Sequence, residues 1–273
     1  SSGDLYRLKA EDGSIIWHQS IRGSFRSGPT IFEDTFYCIT HNNMVMSFSL
    51  STGNMLWKTN AIEEVLTIAG GAKPVVTETT VFVPYTSGSI RAHHPYNGFP
   101  LWFDTIESFD VFSSTNFIHQ IRALPVYEGG QLYVSSQSGA FVALNGYTGQ
   151  QEWRKKLTLQ STPVISNQFL FLITHNNELV CMTKGVGQIV YVKQLPEYQD
   201  SKNKAERIQW FGPILFNNSL VVSSSHGRLM ALSPQNGSIL RTLELPNATY
   251  LPPIVLKGTI FILTYNANLV AVR

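Results

Sequence analysis

The 273-residue sequence predicts an all-β chain, a β-propeller of four-stranded blades, because three landmarks recur along it with one shared period. The first is a hairpin turn leading into a short apolar strand, met seven times from Gly3, Asn43, Gly88, Gly139, Asn177, Gly227 and Ala267, at spacings of 40, 45, 51, 38, 50 and 40 residues. The second is a proline before an apolar strand, at Pro29, Pro74, Pro125, Pro163, Pro213 and Pro253, with gaps of 45, 51, 38, 50 and 40. The third is a glycine turn with an aromatic four residues on: Gly13/Trp17, Gly53/Trp57, Gly98/Trp102, Gly149/Trp153 and Gly187/Tyr191. The sixth such turn, Gly237/Arg241, has lost its aromatic.

Each period reads as four short strands. In the fifth, the proline-led stretch 163–165 is the first strand and 170–173 the second; the seven-fold element is the third, and the strand carrying the aromatic is the fourth. Val, Ile, Phe and Tyr dominate the strands, while Gly, Asn, Ser and Thr fill the joints, as pleated surfaces and tight turns require. Small residues in the third strands (Ser47, Ala92, Ala143, Cys181, Ala231, Ala271) suit a crowded path between neighbouring blades. Trp17, Trp57, Trp102 and Trp153 are expected to lie over the adjacent blade in a structural role. No stretch has a helical period, and residues 203–210 have room for at most a short turn of helix. Periods two to six are complete, the first begins at a third strand and the seventh stops after one. The count gives about six blades in a single domain over 1–273. It reads as the C-terminal part of a larger, N-terminally truncated propeller, with a six-bladed ring closed by residues 15–17 as the alternative.

Composition narrows the function. Hydrophobic residues make up 43% and charged residues 14%, which excludes a disordered chain. Twenty Lys and Arg against eighteen Asp and Glu give a formal charge of +2, too weak a basic field to hold nucleic acid. Every apolar run is cut short of the roughly 18 residues a membrane-spanning helix needs. Cys38 and Cys181 sit in strand-like apolar runs and read as small buried hydrophobes. The turns at His41-Asn42-Asn43 and His175-Asn176-Asn177 use asparagine for positive φ, and alternation would send His93 and His94 to opposite faces. No Cys, His and carboxylate spacing matches a zinc or calcium site, so no metal, cofactor or catalytic residue is assigned. The basic groups at 154–156 and at Lys202, Lys204 and Arg207 read as solvated strand or loop ends.

The turn–strand–turn–Trp pattern resembles the tryptophan-docking repeat of pyrroloquinoline-quinone (PQQ) type propellers. Within them it is most similar to the BamB family of outer membrane assembly factors in its alphaproteobacterial form. Three stretches carry the resemblance: Ala69-Gly70-Gly71-Ala72-Lys73-Pro74 leading to residues 81–88, Trp210-Phe211-Gly212-Pro213 leading to 220–227, and Pro252-Pro253-Ile254-Val255 leading to the ending at 269–273. It runs through essentially the whole chain. The resemblance implies a non-catalytic, eight-bladed periplasmic lipoprotein of the outer membrane. Such a scaffold subunit of the β-barrel assembly (BAM) complex binds the POTRA domains of BamA, meets other subunits indirectly and assists unfolded outer-membrane proteins. Its only membrane attachment would be an N-terminal lipid anchor that this chain lacks.

In the family, a Leu-x-Leu-Arg-Gly-like loop and a loop before the next blade's proline form much of the BamA contact. The first maps onto residues 66–70, keeping the apolar positions Leu66 and Ile68 and placing Ala69 where the family has Arg. The second maps onto Gln120 and Arg122, where relatives carry acidic residues. Leu66 and Ile68 could equally pack into the core where the loop enters a strand. The rivals are a fragment of a PQQ-dependent dehydrogenase, which would need a Ca²⁺ cage and an acidic base, and a generic propeller adaptor with another partner.

Overall fold

The computed structural model describes residues 3–60, 71–106, 121, 123–200 and 202–273. They form two compact units, Ser1–Glu152 and Trp153–Arg273. The first opens with a two-stranded antiparallel sheet, β1 (Asp4–Leu8) and β2 (Ile15–Ser20). Two four-stranded antiparallel sheets follow: β3 (Thr30–Phe32), β4 (Thr35–Ile39), β5 (Val45–Ser49) and β6 (Met55–Lys58), then β7 (Val75–Val76), β8 (Val81–Pro84), β9 (Ser89–His93) and β10 (Pro100–Thr105). A third comprises β11 (Val126–Glu128), β12 (Gln131–Ser135), β13 (Ala140–Asn145) and β14 (Gln151–Lys156), and the division between the units falls inside β14.

The second unit contains β15 (Val164–Ser166), β16 (Phe169–Ile173), β17 (Glu178–Thr183) and β18 (Ile189–Gln194), then a small hairpin of β19 (Tyr198–Asp200) and β20 (Ala205–Arg207). A four-stranded sheet follows, made of β21 (Trp210–Phe216), β22 (Ser219–Ser224), β23 (Arg228–Leu232) and β24 (Ile239–Glu244). The last sheet has three strands, β25 (Ile254–Leu256), β26 (Thr259–Leu263) and β27 (Leu269–Val272). These are propeller blades in the order the landmarks predict. The first begins at its third strand, five are complete, and the last stops at its third.

Four of the six prolines immediately precede a first strand in the first five periods, at Pro29, Pro74, Pro125 and Pro163, and Pro253 does so in the last. Pro213 differs: it lies inside β21, where the register against β22 shifts between Phe211 and Ile214, and such an irregularity is where a strand tolerates a residue that cannot donate. Residues 203–210 hold no helix. Asp200 accepts from the amides of Lys202 and Asn203 and from the Asn203 side chain, and positive φ at Lys204 and Glu206 carries the chain back as a hairpin. The turn between second and third strands needs positive φ, supplied by Asn43 (59°) and Asn177 (59°) where glycine is absent.

In the complete blades, second and third strands are buried nearly throughout, and fourth strands are largely exposed. One row of cross-strand partners repeats. Thr30, Tyr37, Ser47 and Trp57 stand opposite one another in turn, as do Val75, Phe82, Ala92 and Trp102, and again Val164, Phe171, Cys181 and Tyr191. The small third-strand residue is therefore held between two aromatics of its own blade, with Tyr37 and Trp57 centred 5.9 Å apart and Phe82 and Trp102 5.8 Å apart. Crowding is therefore present along this row within each of these blades. In the β21–β24 sheet the row reads Ile214, Val221, Ala231, Arg241, so both aromatics are lost together.

His93 in β9 is 5% exposed; its Nδ1 lies 3.0 Å from the Gly98 carbonyl and its Nε2 is buried without a partner. Burial holds its pKa below the usual 6.5, opposed by the Gly98 carbonyl and reinforced by the charge of Arg91. The unfolded chain therefore binds this proton at a higher pH than the folded one. Stability is full above pH 6.5 and falls as the pH drops through that value toward the folded pKa, by at most about 1.4 kcal/mol per pH unit. Denaturant midpoints on either side of pH 6.5 should show this slope in the wild type, and His93→Gln should flatten it.

Candidate functional site

The fourth strand of each complete joint carries the residue that fixes its blade to the next. Trp17 Nε1 donates to the Leu50 carbonyl (3.0 Å), Trp57 to Pro95 (2.7 Å), Trp102 to Gly146 (3.0 Å) and Trp153 to Lys184 (2.8 Å). Each acceptor precedes by three residues a glycine on which the same indole rests. A Cβ added at Gly53, Gly98, Gly149 or Gly187 would lie 2.5–2.8 Å from a ring atom of Trp17, Trp57, Trp102 or Trp153 respectively. Each of the four indoles thus rests on a glycine of the following blade. The glycine and aromatic of one repeat serve different joints: the glycine receives the preceding blade's ring, and the aromatic reaches the next blade.

A bulge aims the ring. The register between third and fourth strands shifts at the same place in five blades, leaving Ile16, Leu56, Leu101, Val190 and Leu240 without a partner opposite. One extra residue bends and twists the outer strand. These five residues, each immediately before the docking position, are exposed. The outermost strands therefore combine an open backbone edge with a repeated apolar side chain.

After the fourth strand the chain stays tied to the start of the third strand or the turn before it: the amides of Thr59, Ile106, Leu195 and Leu245 donate to the carbonyls of Val45, Gly88, Asn177 and Gly227. It then crosses to the next blade, and both loops expected to contact a partner are such crossings. Leu66, Ile68, Ala69, Gln120 and Arg122 themselves lie outside the described residues. The described residues flanking them are well anchored. Ala72, Ile106 and Ile121, each 1% exposed, enter one core cluster with Phe82, Ile90, Leu132, Val134 and Val142. Ile121 also bridges to Ser136 in the turn before β13. Both crossings are therefore rooted in one rigid core shared by the sheets β7–β10 and β11–β14.

Arg26 is a buried residue that sequence reading passed over. It is 5% exposed, and its guanidinium donates to Asn43 Oδ1 (2.6 Å) and to the Pro84 carbonyl, linking the crossing at 21–29 to two successive blades. Its only sequence signal is an arginine in an otherwise small and apolar stretch. His41 and His175 sit in equivalent turns of different blades, while His94 is half-buried 5.7 Å from Tyr96. Among the described residues no three His, Cys, Asp or Glu side chains come together as a metal cluster, and no helix is long and apolar enough to cross a membrane. Both cysteines are buried, and burial pushes the Cys38 thiol up to about 12 and that of Cys181 to about 11. The chain similarities agree with this architecture. The BamB structure from Moraxella catarrhalis superposes with a TM-score of 0.83 over 99% of this chain and 78% of that one, at 17% identity, a likeness of fold. Among proteins of known sequence, the outer membrane protein assembly factor BamB of Moranella endobia is 20% identical over 98% of this chain and 67% of its own length. An uncharacterized protein of the alphaproteobacterium Rickettsia conorii is 27% identical over 86% of this chain and 58% of its own. The chain spans about two thirds of the length of the BamB relatives it matches. The family model described as outer membrane protein assembly factor BamB matches residues 1–192, and the chain belongs to that family.

Proposed function

We propose that this chain is the propeller of a non-catalytic scaffold subunit of the outer-membrane β-barrel assembly machinery, docking a POTRA domain of BamA through the crossings at 61–71 and 109–124. The family carries the reading, since the matching family model and several relatives are named for outer membrane protein assembly. The core cluster that holds Ala72, Ile106 and Ile121 supports it, because described residues flanking both loops are anchored together there. The reading takes residues 1–273 as one propeller domain and places the full-length protein at the periplasmic face of the outer membrane through a lipid anchor. Apolar anchors give such contacts most of their energy, and Leu66 and Ile68 fill that role. The exposed outer strands, with their bulged Ile16, Leu56, Leu101, Val190 and Leu240, suit addition of an extended strand from an unfolded barrel protein.

Titration against the POTRA region of the cognate BamA tests the proposal. Saturable wild-type binding is expected, with Leu66→Asp and Ile68→Asp each weakening it at least tenfold, about 1.4 kcal/mol. Binding untouched by both variants would remove these loops from the interface, and no binding by the full-length folded protein would leave an adaptor for another partner. Calorimetry with PQQ and Ca²⁺ is expected to give no heat; saturable binding would return the dehydrogenase reading.

A further inference from the structure

In the second unit, Arg241 replaces the aromatic on β24, and the joint before it also departs from the pattern of the other four. Where they have an indole, the joint between the β15–β18 and β21–β24 sheets has Tyr191. Its hydroxyl donates to the Pro234 carbonyl at 2.9 Å, three residues before Gly237, so the docking hydrogen bond is preserved. The ring's cover is not. A Cβ at Gly237 would meet Lys193 Cβ at 2.7 Å before Tyr191 Cε2 at 3.1 Å, whereas at Gly187 it would meet the Trp153 ring itself at 2.8 Å. A phenol reaching endwise to the acceptor leaves uncovered the width that the second ring of an indole takes up.

Beside the phenol lies an open-sided pocket of about 490 Å³, within the range that holds small organic ligands. Phe169, Phe171, Tyr191 and Leu215 form its apolar walls, and Cys181, opposite Tyr191 on the neighbouring strand, adds a buried thiol that stays protonated. Asn167, Asn218 and Gln235 supply amide donors and acceptors at its edge. No charged side chain lines it, so it offers nothing to phosphate, carboxylate or ammonium groups. Aromatic walls favour a flat ring in stacked or edge-on geometry, and the neutral amides favour a ring with a single N–H or O–H.

We propose that the pocket beside Tyr191 is a binding site for a small, neutral, planar aromatic molecule of the indole class, stacked against the Tyr191, Phe169 and Phe171 side chains. The site is independent of the partner-binding loops and shares only Val190 and Tyr191 of β18 with the outer strands.

Indole is the probe, titrated into methyl-labelled protein. Saturable shifts of the Leu215 and Val190 methyl groups are expected, with a Kd of about 1 mM or tighter. Tyr191→Trp restores the pattern of the other joints and should weaken indole binding at least tenfold. Leu215→Trp, which fills the cavity from the opposite wall, should do the same if Tyr191→Trp does not fold. Absence of saturable shifts in the wild type, shifts confined to other methyl groups, or undiminished binding in a folded cavity-filled variant would each overturn the proposal.

Discussion

Trp57→Ala is expected to lower the stability of the first unit by about 3–5 kcal/mol, read as a shift of the denaturant midpoint at unchanged slope. Trp57 is 8% exposed and packs in the cluster formed by Tyr37, Ile39, Val45, Val81, Val83 and Tyr85, which draws on two successive blades. Its indole supplies the 2.7 Å hydrogen bond to the Pro95 carbonyl, leaving that oxygen only the 3.3 Å approach of Tyr37 when the ring is gone. The cavity left could not collapse easily, because Gly98 on the far side contributes no side chain to fill it. Trp17→Ala should cost less: Trp17 occupies the same position in its repeat but is only half-buried, so less apolar area returns to water. Equal losses at the two positions would mean that burial does not set the strength of a joint.

The blade pattern was legible because it rests on local chemistry repeated many times. A glycine or asparagine at a turn, a run of β-branched residues and a tryptophan at fixed distance each leave their mark in one strand or one hairpin. Even the incomplete first and last sheets could be counted from the turns at Gly3 and Ala267. Contacts between periods were harder to read. Gly98 and Trp102 look like one motif in the sequence, yet Gly98 receives Trp57 and Trp102 reaches Gly146. The bulge that exposes Leu56 and Leu101 was hidden for a related reason: a one-residue register shift leaves composition unchanged. Pro213 within β21 shows that the same proline landmark can stand inside a strand when a register shift accommodates it.

The candidate interface was legible only through family resemblance. Leu66 and Ile68 carry no periodic signal, and an alternating apolar pair entering a strand is also what a core requires. What the fold adds is the anchoring of Ala72, Ile106 and Ile121 in a single cluster, a convergence of residues far apart in the chain that no spacing rule reveals. Arg26 belongs to the same class: a buried guanidinium tying a crossing to two blades is recognisable only once Asn43 and Pro84 are beside it. Tyr191 was visible as a departure from tryptophan, but the pocket beside it is formed by residues of several strands and their turns that no spacing brings together.

Gly98→Ala should destabilise by about 2–4 kcal/mol, and two comparisons can divide that loss between its causes. At φ +72° any Cβ is strained, by roughly 1–2 kcal/mol. At Gly98 the new carbon would also lie 2.5 Å from Trp57 Cε3, so the indole would have to move off its bond to Pro95. Gly13 has the same φ of +72° with nothing within 4 Å of an added Cβ, so Gly13→Ala should show the backbone cost alone. The excess at Gly98 is then the clash with the ring, and Trp57→Ala removes that ring. In the Trp57→Ala background, Gly98→Ala should add only what Gly13→Ala costs, giving a coupling of about 1–3 kcal/mol between the two sites. Additive losses would mean that the glycine is required for its backbone conformation only. Strong coupling would identify the pair as one joint, made by a ring on one blade and a missing side chain on the next.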